Sequence, residues 1–139
     1  MKKIISILMV AAIILTGFAA FGTLAGATTY VVYGDWLLAV NSNDTYLVGG
    51  YTGTDTVLSM PDTANDKAVI GVAADFLENC DSQITAVTLP DSYTVIGAYA
   101  FAGCAELESI NFPPSLTALG AMAFNGCSAL GSDKLQPQR

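Results

Sequence analysis

The stretch Ile96-Gly97-Ala98-Tyr99-Ala100-Phe101-Ala102-Gly103-Cys104-Ala105-Glu106-Leu107 returns as Leu119-Gly120-Ala121-Met122-Ala123-Phe124-Asn125-Gly126-Cys127-Ser128-Ala129-Leu130. The second copy is numbered 119 − 96 = 23 higher than the first, and Gly, Ala, Phe, Gly, Cys and Leu recur in register. Between the copies lies Leu107-Glu108-Ser109-Ile110-Asn111-Phe112-Pro113, preceded at the same offset by Ile84-Thr85-Ala86-Val87-Thr88-Leu89-Pro90. Two phrases sharing one period mark a stacked-repeat architecture. An earlier copy is looser. Ile70-Gly71 leads to Phe76 and Cys80, the step from Gly71 to Gly97 is 97 − 71 = 26, and Val57-Leu58-Ser59-Met60-Pro61 matches the end of the strand phrase. The array therefore has about three turns, the first irregular.

Residue types assign a task to each position. Val87 and Leu89, then Ile110 and Phe112, alternate with polar Thr88 and Asn111, the period of a strand with one buried face. Pro90 and Pro113 end these strands because proline cannot donate to a ladder. Gly97 and Gly120 suit a tight turn requiring positive φ. Ala100-Phe101 and Ala123-Phe124 supply the opposite wall. A lone coil buries too little to fix its own backbone, so neighbours must stack. The expected fold is a mainly β repeat: a short right-handed solenoid with a parallel sheet.

Residues 28–56 carry no repeat. Tyr30-Val31-Val32-Tyr33, Trp36-Leu37-Leu38-Ala39-Val40 and Tyr46-Leu47-Val48 read as strands, separated by turn signals at Gly34-Asp35 and Asn41-Ser42-Asn43-Asp44. An N-terminal β cap over the first coil is the natural job for them, because an uncovered solenoid end exposes core and ladder. Trp36 is expected to pack against that coil rather than to stack on a ligand.

Before this region stand basic Lys2-Lys3, the apolar run Ile4 to Leu15, and small residues ending in Ala25-Gly26-Ala27. That is the anatomy of a cleavable signal peptide over 1–27, with an uncleaved anchor as the competing reading. Removing it leaves three basic and 12 acidic residues, a formal charge of 3 − 12 = −9. Such a balance disfavours nucleic acid and anionic lipid surfaces. The expected organisation is signal peptide 1–27, cap and lead-in 28–56, repeats 57–130, and a degenerate tail or truncated repeat 131–139.

The combination Leu-x-x-Ile-x-Phe-Pro with Ile-Gly-x-x-Ala-Phe-x-Gly-Cys closely resembles the BspA-like (Treponema-type) leucine-rich repeats of bacterial surface proteins. The resemblance covers about Val57 to Leu130. It implies a leucine-rich-repeat solenoid and a secreted or surface-attached protein with a role in adhesion. The chain departs from the family in its short array and in the decay of the fourth strand phrase, where Asp133 stands at the position of Val87 and Ile110.

No histidine occurs, which removes the usual Ser-His-Asp and Cys-His catalysis and His-containing zinc sites. Cys80, Cys104 and Cys127 occupy equivalent turns and are expected to stack as buried, inert thiols, since parallel side chains hold the Cβ atoms too far apart for a disulfide. Asp55, Asp62 and Asp66, and Glu106 with Glu108, lack the facing geometry of a glycosidase pair. The oxygen-rich loop Asn41 to Thr45 lacks the glycine and distal glutamate of a calcium loop. No cofactor is expected, and a secreted hydrolase is the weakest reading.

Two readings remain. One is a non-enzymatic binding module at the cell surface, meeting an extracellular protein or glycoconjugate through outward, concave-side strand positions: Ser59, Thr88 and Asn111 in one column, Ala86 and Ser109 beside them, and Glu108 at the border. Cys80, Cys104, Cys127, Phe76, Phe101, Phe124, Gly97 and Gly120 are then structural. The other is an N-terminal fragment of a longer surface repeat protein, whose open C-terminal edge would self-associate.

Overall fold

The computed structural model describes residues 29–77 and 83–131 and consists of strands and turns. The signal segment, Cys80 and the tail beyond Gly131 lie outside the described residues. The chain opens with an antiparallel meander of β1 (Tyr30–Tyr33), β2 (Trp36–Val40) and β3 (Tyr46–Tyr51). Aromatic and β-branched residues favour these strands. Gly34, at φ 58°, supplies the left-handed backbone of the two-residue turn between β1 and β2.

The coils that follow build two parallel sheets. One contains β4 (Val57–Ser59), β7 (Ala86–Thr88) and β9 (Ser109–Ile110). The other extends the meander: β3 pairs in parallel with β6 (Lys67–Val72), then β8 (Val95–Ile96), then β10 (Ala118–Leu119). The meander thus caps the solenoid by lending β3 as the first rung of this sheet. Strand β5 (Thr63–Ala64) forms a hairpin with β6 about Asn65 and Asp66, whose φ values of 50° and 63° are those of a type I′ turn.

Register corrects the reading of the first coil. Val72 lies opposite Ile96, which lies opposite Leu119, giving offsets of 24 and 23 (96 − 72 and 119 − 96). Ala73 therefore stands in the place of Gly97, and Gly71 lies opposite Val95. In the other sheet Val57 lies opposite Ala86 and Ala86 opposite Ser109, offsets of 29 and 23. The five extra residues (29 − 24) fall in the corner between β4 and β6, where the hairpin sits.

Beyond the second sheet a turn wall closes each coil. Asp75 N–H donates to Ala98 O at 3.0 Å and Tyr99 N–H to Ala121 O at 3.1 Å, followed by Leu77 to Ala100 and Phe101 to Ala123, both at 2.8 Å. Equivalent residues Asp75, Tyr99 and Met122 share left-handed φ values of 57°, 55° and 57°, and Gly103 and Gly126 have φ of 80° and 78°. Gly97 and Gly120, expected to need positive φ, do not have it. They are glycines because the coils touch there: a Cβ on Gly97 would lie 2.3 Å from Ala74 N, and one on Gly120 would lie 2.1 Å from Ala98 N.

Inward residues from both sheets and the wall form one apolar cluster, including Leu58, Val87, Leu89, Ile96, Phe101 and Leu107. Phe101 and Phe124 stack with centroids 5.4 Å apart and planes at 1°. Phe76 is out of step with them, since Leu77 holds the equivalent rung. Its ring still reaches Phe101 edge-on, with centroids 5.7 Å apart.

Candidate functional site

The outward side of the β4-β7-β9 sheet brings most of the expected binding residues together. Register aligns Val57, Ala86 and Ser109 in one column and Ser59 with Thr88 in the next. Ser59, Thr88 and Ser109 are exposed, Ala86 is half-buried, and Val57 is 58% exposed. Glu108 is exposed immediately before β9, its N–H donating to Thr85 O at 2.8 Å. The face is small-sided, and Glu108 borders it with charge.

Asn111 follows β9 in the Thr88 column, but the structure uses its side chain differently. In the preceding rung Met60 N–H donates to Thr88 O at 3.0 Å, a main-chain ladder bond. At the equivalent place Leu89 N–H donates instead to Asn111 Oδ1 at 2.6 Å, and Asn111 Nδ2 donates to Leu89 O at 2.8 Å. The amide side chain replaces the backbone rung and satisfies both main-chain groups of Leu89. It is half-buried and committed to the fold.

Threonine hydroxyls reinforce the coil contacts. Thr85 Oγ1 donates to Thr56 O at 3.3 Å, Thr94 Oγ1 to Ile70 O at 3.3 Å, and Thr117 Oγ1 to Thr94 O at 3.2 Å. Sequence reading also missed Tyr93. Its ring is fully buried, and its hydroxyl donates to Pro61 O at 2.7 Å. Burial, with Asp62 adding a smaller share, pushes that phenol well above its ordinary range. The signal was present as Pro90-Asp91-Ser92-Tyr93-Thr94-Val95-Ile96-Gly97, which recurs as Pro113-Pro114-Ser115-Leu116-Thr117-Ala118-Leu119-Gly120.

The remaining chemical candidates are absorbed by the fold. Cys104 and Cys127 are buried and not bonded to each other, and Cys127 Sγ donates to Phe101 O at 3.1 Å. Trp36 packs on Tyr51, with ring centroids 4.7 Å apart. Tyr51 in turn donates to Asp55 Oδ2 at 3.0 Å; burial first, then this bond, raises its phenol above the ordinary range. Asp66 shapes the hairpin turn, and Lys67 pairs with Asp44 across to the meander. Asn41 Oδ1 accepts from Ser42 N–H at 2.8 Å within its own loop. Among the described residues no three His, Cys, Asp or Glu side chains group in a way that could hold a metal ion. Nor is any helix among them long and apolar enough to cross a membrane.

This geometry meets its relatives in two comparisons. Residues 72–138 match the family described as a BspA-type leucine-rich repeat region of six copies. The repeat array is of the BspA leucine-rich type. Solved structures agree with that assignment. A leucine-rich cell surface protein from Faecalibacterium prausnitzii superposes with a TM-score of 0.69 at 25% identity, over 75% of this chain and 30% of its own. A leucine-rich repeat protein from Bacteroides capillosus gives 0.67 at 27% identity, over 73% of this chain and 78% of its own. One from Bacteroides ovatus gives 0.61 at 27% identity, over 84% and 30%. The chain thus spans under a third of the Faecalibacterium and Bacteroides ovatus proteins. No curated protein matches the sequence.

Proposed function

We propose that this BspA-type array is a non-enzymatic recognition module, exported and displayed at the cell surface. In this reading the outward face of β4-β7-β9 meets an extracellular protein or glycoconjugate. The observation that carries it is the alignment of outward side chains from three successive coils, Val57-Ala86-Ser109 beside Ser59-Thr88, all but the half-buried Ala86 exposed, on one sheet face. Rigid strands spaced by the ladder hold such groups in fixed register, which suits an extended contact more than chemistry at a point. The Faecalibacterium relative, a cell surface protein, supports the location.

The test is a binding screen against matrix proteins, mucins and whole cells, followed by Thr88→Lys and Ser109→Lys in the hit complex. Both sites are exposed, so the melting temperature should hold while affinity falls at least tenfold. Unchanged affinity in the double variant would refute the face. A second reading is favoured by the 30% share of two relatives: the chain is one portion of a longer surface protein whose contacts extend over further repeats.

A further inference from the structure

The cap covers one sheet of the solenoid and leaves the other open. Strand β3 stands as the rung before β6, but the β4-β7-β9 sheet begins at β4, and among the described residues no strand pairs with the other side of β4. Described chain accounts for this edge. Residues 52–56 bring the backbone from β3 directly to β4, and the chain before Tyr30 enters through β1, at the far margin of the other sheet.

The ladder fixes which groups the edge presents. Ala86 N–H donates to Thr56 O at 3.4 Å and Met60 N–H to Thr88 O at 3.0 Å. Bonding residues alternate along a strand, so Leu58 turns its main-chain groups to β7, while those of Val57 and Ser59 point the opposite way. Both residues are exposed, Val57 at the position where the later coils carry Ala86 and Ser109. Edge strands are commonly blunted by lysine, proline or a bulge, and Val57-Leu58-Ser59 has none of these.

Charge selects the occupant. Asp55 and Asp62 flank the strand, 57 − 55 = 2 residues before it and 62 − 59 = 3 after it, and both are exposed. The one basic residue among those described, Lys67, is paired with Asp44. A second copy fits poorly, because antiparallel pairing of β4 with β4 sets the Asp55 end of each against the Asp62 end of the other. We propose that the free edge of β4 takes up an extended segment of a partner protein with basic residues at both ends, added as a further strand of the β4-β7-β9 sheet. The main-chain groups of Val57 and Ser59 hold its backbone, and its Lys or Arg ends meet Asp55 and Asp62. This edge is separate from the outward sheet face and does not depend on a partner binding there.

Fluorescence anisotropy on the purified protein tests this with a labelled peptide, Lys-Lys-Val-Thr-Val-Thr-Val-Lys-Lys, and its counterpart carrying Glu for every Lys. The Lys peptide should saturate with a Kd below roughly 1 mM and the Glu peptide should not bind. Two further Lys peptides carry N-methyl groups on alternate residues. The one methylated toward β4 should bind at least tenfold more weakly than the other. Ser59→Pro removes a donor that β7 does not use, so a thermal melt should show it folded while affinity falls at least tenfold. Asp55→Asn with Asp62→Asn should weaken binding more at low salt than at high salt. No saturation by the Lys peptide, or equal binding of the Glu peptide, overturns the proposal. Equal binding of the two methylated peptides overturns strand addition whether or not Ser59→Pro folds. Unchanged affinity in folded Ser59→Pro overturns the location, and a dimer in sedimentation velocity that this variant disrupts puts a second copy on the edge instead.

Discussion

Replacing Asn111 by alanine removes one side chain and two hydrogen bonds at once. Leu89 N–H loses its acceptor at 2.6 Å and Leu89 O its donor at 2.8 Å. Each such bond contributes about 1 kcal/mol net, and a main-chain group left unsatisfied costs roughly 1–3 kcal/mol. Leu89 is 2% exposed, so water reaches its main chain poorly, but Asn111 itself is half-buried and a solvent molecule can enter part of the space. The expected loss is about 2–3 kcal/mol. For a domain of this size that is a fall in Tm of roughly 10–20 °C. Urea unfolding followed by circular dichroism should show the midpoint move with its slope unchanged. Asn111→Asp gives the reasoning a sign. Ionised, it keeps the acceptor for Leu89 N–H but sets a carboxylate oxygen against Leu89 O; protonated, it can donate there again. Its folded pKa should lie above the ordinary aspartate value of about 3.9, so the variant should lose stability as pH rises through it. An alanine variant within about 0.5 kcal/mol of wild type, the range of ordinary surface changes, would refute the rung substitution.

Other outcomes follow from the same geometry. Gly120→Ala sets a Cβ 2.1 Å from Ala98 N, an overlap with backbone that cannot swing aside. A loss of about 3 kcal/mol or more is expected in denaturant titration, against about 1–2 kcal/mol for Gly126→Ala, which suffers chiefly from φ 78°. Tyr93 has a folded pKa raised above its ordinary value of 10.0, so its contribution is complete below pH 10 and declines at higher pH. Tyr93→Phe should cost about 1 kcal/mol at neutral pH and flatten the alkaline limb of a pH–stability curve. Asp66→Gly should raise stability by roughly 0.5–1 kcal/mol in thermal melts, because glycine tolerates φ 63° in the type I′ turn.

What the sequence made legible depended on how many residues carried each signal. The meander was readable because three runs of aromatic and β-branched residues lie between clear turn signals, and β3 merely extends to Tyr51. Strands β7 and β9 were readable from their alternation and closing prolines. Strands β8 and β10 were not, since two residues each cannot display a period; their cue was the recurring Ser-x-Thr after proline. The first coil misled because Gly71 resembles Gly97, whereas hydrogen-bond register places Ala73 there. Gly97 drew the wrong reason, as close approach and positive φ both select glycine and a sequence does not separate them. Among the candidate face residues, Asn111 looked like Thr88 by spacing, and only its length lets it turn back to the main chain of Leu89.

The hairpin of β5 and β6 adds five residues at one corner while the rungs on either side remain paired. The molecule therefore separates the part of each coil that keeps time from the part that can carry cargo. The equivalent corner one coil later, Pro90-Asp91-Ser92, should accept a grafted epitope or affinity tag without disturbing the beat of the strands. A protein built this way can acquire new surface by lengthening its corners, leaving the scaffold that holds them untouched.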